Sequence, residues 1–529
     1  MDYLILISAV VLFACVLANQ FSHRFGMPAL LLFMSLGMIF GSDGIFKIHF
    51  SNYYLTQDVC SVALVFIMFY GGFGTNWSVA KPVAAKSLVL SSAGVVGTAG
   101  LVGIFCFSVL KLDMLESLLI GSVISSTDAA SVFSILKSKK LGLKEGSASL
   151  LELESGSNDP ASYMLTMIVL TLMKGQSVAS VWGMLFKQLF FGIGIGVLLA
   201  FIGIFLLHHM KLSAAGLDTT LVVAVALASY GFTNFLGGNG FLSVYLTGII
   251  MGNSKIRDKS SISHFFDSLT GLSQICIFFL LGLLSFPHRL GSVLLTALPI
   301  TLFLTLVARP AMVFLILKLF RSSTKQCLLV SWAGLRGAAS IVFAIMVIAN
   351  EVSLSFDLYH LVFVICLFSV ALQGSLLPFV SRKLDMVDRT SDVRKTFNDY
   401  QQEDAMTLMR MFIPKGHHWE NKTFREISLP YDSLALMVKR QGETLVPKGD
   451  TLIQAEDTII LNVPTYRSVG EEDLKEMVIT SSHPWCNKTI EELDLPKDIL
   501  IAGIRRNGES VIPRGKTKIL EQDTVVLYR

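Results

Sequence analysis

Four side chains that could bind a small cation lie within six residues of one another inside an apolar stretch. They are Glu154, Ser155, Asn158 and Asp159. If the stretch is helical, Glu154 and Asn158 share one face and Ser155 and Asp159 form an adjacent pair, because residues four apart are neighbours on a helix. A carboxylate and a hydroxyl can then converge on one cation. The spacing therefore predicts a cation site centred on Asp159.

Two other apolar stretches carry polar interruptions. One contains Thr127 and Asp128 after two serines, residue types that favour helix caps over helix interiors. The other contains Arg336 between two glycines. Interrupted helices in corresponding places of two halves indicate a transporter site, since half-helix ends offer free backbone groups there. We therefore expect two broken helices beside Asp159.

The alternative is that these charges only stabilise the fold. A charge inside a membrane is expensive and is by default a functional hypothesis. Glu154 and Arg336 could form a structural ion pair, with Asn158 joining helices, and both interpretations of this pair stay open. Asp159 and Asp128 have no further basic residue at that depth to neutralise them. Arg309 is predicted to be structural and Glu152 peripheral.

The composition identifies the environment of these residues. Of 529 residues, 53% are hydrophobic and 16% charged, whereas soluble domains average about 25% charged. The apolar character ends near residue 382, which predicts a membrane region and a soluble tail. The sequence has no metal-ligand cluster, nucleophile elbow or P-loop, and no basic stripe with interleaved aromatics, so an enzyme or a nucleic-acid-binding protein is disfavoured.

Hydropathy predicts thirteen membrane spans, counting short ones that broken or buried helices allow. They lie near residues 3–20, 28–41, 58–74, 87–110, 116–137, 147–173, 188–207, 218–236, 240–252, 264–285, 291–317, 326–349 and 358–381.

One alternating set of loops holds most of the Lys and Arg residues, which stay preferentially in the cytoplasm. This set has fourteen, at 24, 81, 86, 137, 139, 140, 144, 211, 255, 257, 259, 318, 321 and 325, against five at 47, 111, 174, 187 and 289. The N-terminus is thus predicted outside and the tail inside.

At these motifs the chain resembles the NhaP-type members of the cation:proton antiporter superfamily. The resemblance rests on Thr127-Asp128, on Glu154 with Asn158-Asp159, and on Arg336, and it covers about residues 1–385. It implies a membrane all-α, inverted-repeat fold in the inner membrane, a homodimer, and a six-helix core that moves against the dimerisation helices. It also implies cation ligation by Asp159, Ser155, the Thr127 backbone and, through water, Asp128. Glu154 and Arg336 would be the supporting pair.

The tail contains a duplication at a constant offset of 66 residues. The matching segments are 419–423 and 485–489, 439–443 and 505–509, 447–449 and 513–515, and 457–461 and 523–527, with Pro430 matching Pro496. Short alternating strands with glycine turns predict a small α/β or β-rich module in each copy. We assign residues 1–385 to the transport domain, 386–402 to a linker, and 403–468 and 469–529 to the repeats.

Each repeat resembles the C-terminal regulatory domain of TrkA and of potassium-channel regulators. The resemblance implies a pseudo-dimeric sensor, favours potassium as the cation, and in some relatives involves cyclic di-AMP. No GxGxxG fingerprint precedes the repeats, so the nucleotide-binding half of those regulators is absent. The alternative is a tail that only aids assembly or stability.

The sequence therefore favours exchange of potassium for protons, serving cation, pH and volume homeostasis. With Glu154 neutralised, only Asp159 would change charge in each cycle, which predicts electroneutral exchange. Asn158 then matters to the stoichiometry, because a carboxylate there would permit two protons per cycle. Sodium is the alternative cation. Two rivals remain, a membrane sensor without transport and a tail-gated potassium channel, the latter suggested by residues 70–74.

Overall fold

The computed structural model describes the chain except residues 1, 26–27, 140, 211–215, 257, 389–405, 428, 430–432, 441–442, 465–473, 480–482, 494–499, 507–508, 512 and 529. Lys140, Lys211 and Arg257 of the predicted cytoplasmic loops lie outside the described residues, as do most of the linker and Pro430 and Pro496 of the repeat. The chain forms two compact units, Met1–Gln401 and Gln402–Arg529.

The first unit is helical. Its helices are α1 (Asp2–Phe25), α2 (Ala29–Phe40), α3 (Tyr53–Gly74), α4 (Trp77–Val89), α5 (Val95–Ser108), α6 (Met114–Val123), α7 (Ala129–Ser138), α8 (Ser147–Met173), α9 (Val178–His209), α10 (Leu217–Phe235), α11 (Gly240–Gly252), α12 (Lys259–Leu284), α13 (Pro287–Phe303), α14 (Arg309–Leu319), α15 (Thr324–Trp332), α16 (Ala338–Ala349), α17 (Leu358–Phe368) and α18 (Ser375–Lys383). Single π-helical turns, Leu90–Gly94, Leu304–Ala308 and Ser369–Gly374, join α4 to α5, α13 to α14 and α17 to α18. Two short strands, β1 (Gly142–Leu143) and β2 (Val387–Asp388), pair with each other.

Six of the described helical segments are long and apolar enough to cross a membrane. They are Tyr53–Gly74, Trp77–Ser108, Val178–His209, Lys259–Leu284, Pro287–Leu319 and Leu358–Lys383. Shorter apolar helices lie in the predicted spans near 3–20, 28–41, 116–137, 240–252 and 326–349. The longer helices α8 and α10 occupy the predicted spans near 147–173 and 218–236. The mostly helical fold is thus confirmed, while the count of thirteen crossings stays a prediction.

Helix α9 exposes many apolar side chains on the surface of this unit. Only 22% of its most apolar window is buried, and Trp182, Phe186, Phe190 and Phe201 are all exposed. A soluble protein rarely leaves so large an apolar surface uncovered, whereas hydrocarbon chains of lipid cover one readily. By contrast, α16 and α17 are buried along most of their length.

Close helix contacts in the membrane need small residues. Gly72 on α3 and Gly248 on α11 face each other so closely that a Cβ on either would overlap the other helix's backbone. Residues 70–74, which suggested a selectivity filter, therefore lie inside α3 and pack against a neighbouring helix. A pore loop at this segment is excluded.

The second unit contains two antiparallel sheets of four strands, which fit the predicted small modules. The first sheet has the order β3-β6-β4-β5, and the second has the order β7-β10-β8-β9. Their strands are β3 (Met406–Phe412), β4 (Leu434–Arg440), β5 (Glu443–Leu445), β6 (Thr458–Pro464), β7 (Leu474–Val478), β8 (Leu500–Arg506), β9 (Glu509–Val511) and β10 (Thr524–Tyr528). The two sheets have equivalent strand orders, as the duplication in the sequence requires.

One ion pair recurs in both sheets. Arg440 donates to both carboxylate oxygens of Asp457 at 2.8 and 2.7 Å, and Arg506 donates to Asp523 at the same two distances. Both carboxylates are fully buried. The Arg506 guanidinium holds the pKa of Asp523 below its ordinary value, opposed by burial and helped by the Leu520 amide.

We expect Asp523→Asn to destabilise the second sheet by about 2 kcal/mol, since it removes the charge-assisted hydrogen bonds that the buried carboxylate accepts from the partly exposed Arg506. The lowered pKa means that this stabilisation is present above the ordinary Asp pKa of about 3.9 and is lost as pH falls through the folded-state value. Hydrogen exchange of β10 in the full-length protein measures the effect. The control is Glu456→Gln, which removes the exposed pair with Lys415 and should change nothing measurable. Equal protection of β10 in Asp523→Asn and wild type would contradict this account.

Candidate functional site

Two helix breaks lie against each other in the first unit. Helix α6 ends at Val123 and α7 begins at Ala129, while α15 ends at Trp332 and α16 begins at Ala338. The Asp128 amide donates to the carbonyl of Leu335 across the breaks at 2.8 Å. Gly337 is needed there because a Cβ would overlap the Asp128 carboxylate. Both predicted interruptions are present, and backbone groups of one contact the other.

Helix α8 presents its polar residues to the first break. Ser155 Oγ donates to the carbonyl of Thr127 at 2.6 Å, and the hydroxyl of Ser126 contacts the Asp159 carboxylate. The Thr127 amide donates to Asn158 Oδ1 at 3.3 Å, and Asn158 Nδ2 contacts Thr127 Oγ1. The structure thus brings Asp159, Ser155, Asn158 and Thr127 together, all of them buried.

Asp128 lies at the same break and caps a helix. Its carboxylate accepts from the amide of Ser131 at 3.1 Å and contacts the Ser131 hydroxyl, so it caps the first turn of α7. It also lines the cavity that contains Asp159. A capping carboxylate has lone pairs left for a bridging water, as the predicted indirect ligand requires.

The expected ion pair between Glu154 and Arg336 is wrong. Glu154 instead forms a two-pronged pair with Arg309, with Nη1 to Oε1 at 3.0 Å and Nη2 to Oε2 at 2.9 Å. Arg309 and Glu154 are 3% and 1% exposed, so the pair lies fully inside the protein. Asn158 also donates to Glu154 Oε1 at 3.1 Å.

Arg336 has backbone partners. Its Nη1 donates to the carbonyls of Ser125 and Ser126 at 2.8 and 2.6 Å. The break after α6 leaves these carbonyls without helical donors, so a cation placed between the two breaks satisfies them. Arg309 begins α14 directly after a π-helical turn and reaches α8 from there. Arg309, like Arg336, is a single charged residue in an apolar run, and nothing in the local sequence distinguishes the two.

A cavity of about 630 Å³ opens onto the site. Its lining includes Ser126, Thr127, Asp128, Ser155 and Asp159, together with Tyr70, Glu152, Tyr245, Asp267, Thr270 and Gln274. A water molecule takes up about 30 Å³ of liquid, so a hydrated ion fits. Glu152 is thus not peripheral, since it borders the cavity and accepts from Thr75 Oγ1 at 3.0 Å. Asp267, near the start of a predicted span, was not recognised from the sequence.

The chemistry of the site follows from which carboxylates are neutralised. Among the residues that the structure describes, Glu154 has a basic partner, whereas Asp159 and Asp128 have none. The Ser126 hydroxyl contacts Asp159, and Asp128 caps α7 through two groups of Ser131. Beside Asp159 lie the Ser155 hydroxyl and the Thr127 carbonyl, which are oxygen donors of the kind that replace an alkali ion's hydration shell. The arrangement can hold a proton or an alkali cation at one carboxylate.

Family models match both regions. The model described as "Sodium/hydrogen exchanger, transmembrane" matches residues 9–383, and the model described as "TrkA-C domain" matches residues 474–528. The first covers every residue of the site.

Several curated proteins are similar to this chain. The "K(+)/H(+) antiporter NhaP" of Alkalimonas amylolytica is 33% identical over 489 residues, which are 90% of this chain and 85% of that protein. The "K(+)/H(+) antiporter NhaP2" of Shewanella sp. (strain ANA-3) is 30% identical, over 86% of this chain and 80% of that protein. The "Na(+)/H(+) antiporter ApNhaP" of Aphanothece halophytica is 25% identical, over 72% and 74%.

Two solved structures share the fold. Both are of the sodium proton antiporter MjNhaP1 from Methanocaldococcus jannaschii. One, determined at pH 8, has a TM-score of 0.61 at 22% identity, over 71% of this chain and all of that chain. The other, an electron-microscopy structure, has a TM-score of 0.64 at 24% identity, over 73% and 98%.

Proposed function

This chain belongs to the sodium/hydrogen exchanger family of multi-pass membrane proteins, and from that premise we propose that it exchanges potassium for protons one for one across the bacterial inner membrane. Such exchange would serve cation, pH and volume homeostasis. The observation that carries the proposal is the contrast between Glu154, neutralised by Arg309, and Asp159, which has no basic partner among the described residues.

The proposed cycle uses one carboxylate. A cation entering through the cavity binds Asp159, Ser155 Oγ and the Thr127 carbonyl, with Asp128 acting through a water. Ser155 must turn its hydrogen away from Thr127, to which it now donates. After the site opens to the other side, a proton displaces the cation from Asp159. Because Glu154 stays paired, each half of the cycle carries a single positive charge, and the exchange is electroneutral.

Potassium is favoured by two kinds of support. The two relatives at 33% and 30% identity are named for potassium/proton exchange, and a TrkA-C domain accompanies the transporter. Sodium is the alternative cation, supported by the more distant relative at 25% identity.

Reconstituted protein tests this proposal. Liposomes holding a pH-sensitive dye are given a proton gradient, and potassium, sodium or lithium is then added. We expect potassium to drive proton efflux at a rate that does not depend on membrane potential. If no cation moves protons, the exchange proposal fails. If only sodium or lithium does so, the choice of potassium fails and antiport stands.

Asn158→Asp is expected to make the exchange electrogenic. A second carboxylate next to Asp159 would take up a second proton, so about two protons would move for each cation. Currents on a solid-supported membrane measure the charge moved per cycle. Asn158→Ala, which removes the amide without adding a charge, should slow exchange but produce no current. A current from the wild type would contradict one-for-one exchange.

The remaining features are proposed with this function. The N-terminus lies outside and the tail in the cytoplasm, which the Lys and Arg distribution supports. The protein is a homodimer in which a six-helix core moves as an elevator, and it transports without covalent catalysis. The chain is organised as residues 1–385, a linker at 386–402, and repeats at 403–468 and 469–529. The tail binds a small regulatory ligand, with cyclic di-AMP or another nucleotide as the candidate.

A further inference from the structure

The chain folds back onto the transport domain where it leaves the last helix. After α18, β2 pairs antiparallel with β1, so that Val387 lies opposite Leu143. The Lys144 amide donates to the Met386 carbonyl at 2.9 Å. Met386 itself is buried in an apolar cluster that includes Leu143. We call residues 142–144 and 385–388 together the exit clamp.

Charged side chains reinforce the exit clamp. Lys144 Nζ donates to the Asp385 carboxylate and to the Asp385 carbonyl, both at 3.0 Å. Lys325, in the first turn of α15, lies 3.8 Å from the other Asp385 oxygen. Asp385 has a positive φ of 55°, a left-handed turn that reverses the chain after α18. Asp385 therefore joins the end of the domain to the loop before α8, through Lys144, and to the first turn of α15, through Lys325.

The loop that carries β1 joins two helices of the cation site. It connects α7, which begins next to Asp128, with α8, which carries Asp159. Asp159 is the thirteenth residue of α8, so about 18 Å of helix separates it from the loop. The same loop holds α15, because Ser323 Oγ donates to Glu145 at 2.7 Å and Gln326 donates to the Glu145 carbonyl at 2.9 Å. The loop that carries β1 is thus connected to both broken helices, by the chain to α7 and by hydrogen bonds to α15.

We propose that the exit clamp is the element through which the cytoplasmic tail acts on cation exchange. A rearrangement of the tail shifts β2, and β1 carries that shift to α7 and α8. Coupling of this kind is reciprocal, so cation binding at Asp159 must also alter the clamp. The inference rests on the proposed exchange function.

Transport in the full-length protein tests the path. One variant is Asp385→Asn, and another carries eight flexible Gly and Ser residues inserted after Asp388, which leaves the clamp intact but detaches the tail. Each should change the potassium concentration for half-maximal exchange by about fivefold in the same direction. Because both break one path, the double variant should change it no further.

The control is Glu351→Gln, which removes an exposed carboxylate that accepts from Tyr54 in a loop predicted outside. It should exchange like wild type. The exposed Asp385 pairs contribute little to stability, so the Asp385→Asn protein stays folded. The inference is overturned if Asp385→Asn or the insertion variant exchanges like wild type. It is also overturned if the two changes in half-maximal potassium concentration multiply in the double variant.

Hydrogen exchange gives a readout that does not depend on transport. Residues 141–144 and 385–388 are followed in wild type and Asp159→Asn, with potassium chloride compared with choline chloride at equal ionic strength. Potassium should change their protection by about twofold or more in wild type and not in Asp159→Asn. If potassium does not change the protection in wild type, the coupling is refuted, even where cation/proton exchange is normal. If potassium changes the protection as expected but the protein does not exchange cations for protons, the proposed function is refuted and the coupling stands.

Discussion

Asp159→Asn is expected to abolish exchange, reducing its rate by at least about 100-fold, or about 2.7 kcal/mol at 1.36 kcal/mol per tenfold. The amide has the shape of the carboxylate but can neither release a proton nor neutralise a cation. Among the described residues neither Asp159 nor Asp128 has a basic partner, but the Asp128 carboxylate caps α7 through the Ser131 amide and hydroxyl, whereas Asp159 contacts a single hydroxyl. Removing its charge therefore removes the group for which proton and cation compete.

Proton flux in liposomes measures this effect, with equal amounts of folded protein confirmed by thermal unfolding in detergent. Asp128→Asn should weaken apparent cation affinity without abolishing exchange, since Asp128 acts through water. The matched control is Asp113→Asn. Asp113 caps α6 outside the cavity, accepting from the Leu115 amide at 3.0 Å, and its variant should exchange normally. Undiminished exchange by Asp159→Asn would place the proton site elsewhere.

Arg309→Met is expected to destabilise the transport domain by about 3–5 kcal/mol, because it leaves Glu154 charged and unpaired in the interior. A Glu154→Gln, Arg309→Met double variant should recover most of this loss, since no unpaired charge remains. Thermal unfolding in detergent, with the yield of monodisperse protein, measures both variants.

Arg336→Met supplies the comparison for the second prediction. Loss of the Arg336 side chain leaves two carbonyls without donors but leaves Glu154 paired with Arg309. Adding Glu154→Gln should therefore not restore the stability of Arg336→Met. If Glu154→Gln restored Arg336→Met and failed to restore Arg309→Met, the pairing in the structure would be contradicted. The Glu154 and Arg336 pair that the sequence suggested would then be correct.

Much of the architecture could be predicted because its signals are local. A run of apolar residues predicts a membrane helix. Two serines before Thr127 and Asp128 predict a break in the helix, because such side chains compete for backbone hydrogen bonds. The Asp159 cluster follows from spacing within one helix. The tail duplication was visible without gaps, and equivalent strands now lie at equivalent places in two sheets.

The features that could not be predicted from the sequence depend on contacts between segments that are far apart along the chain. Arg309 and Arg336 are both single cations in apolar runs, and no spacing rule tells which of them meets Glu154. The choice is made by the packing of α14 against its neighbours after a π-helical turn. Strands β1 and β2 have two residues each, too few for an alternating pattern. Asp267 and Glu152 border the cavity only because α12 and α8, which carry them, meet α3, α7, α11 and α16 there.

The most direct test of the account is the number of protons released when potassium binds. Calorimetric titration of the detergent-solubilised protein with potassium, in buffers of different ionisation enthalpy, gives this number. At a pH low enough for Asp159 to be protonated without potassium, competition predicts about one proton released for each potassium bound in wild type, because both ligands bind the same carboxylate. It predicts none in Asp159→Asn. Potassium binding to the wild type without proton release would contradict exchange at a single shared carboxylate.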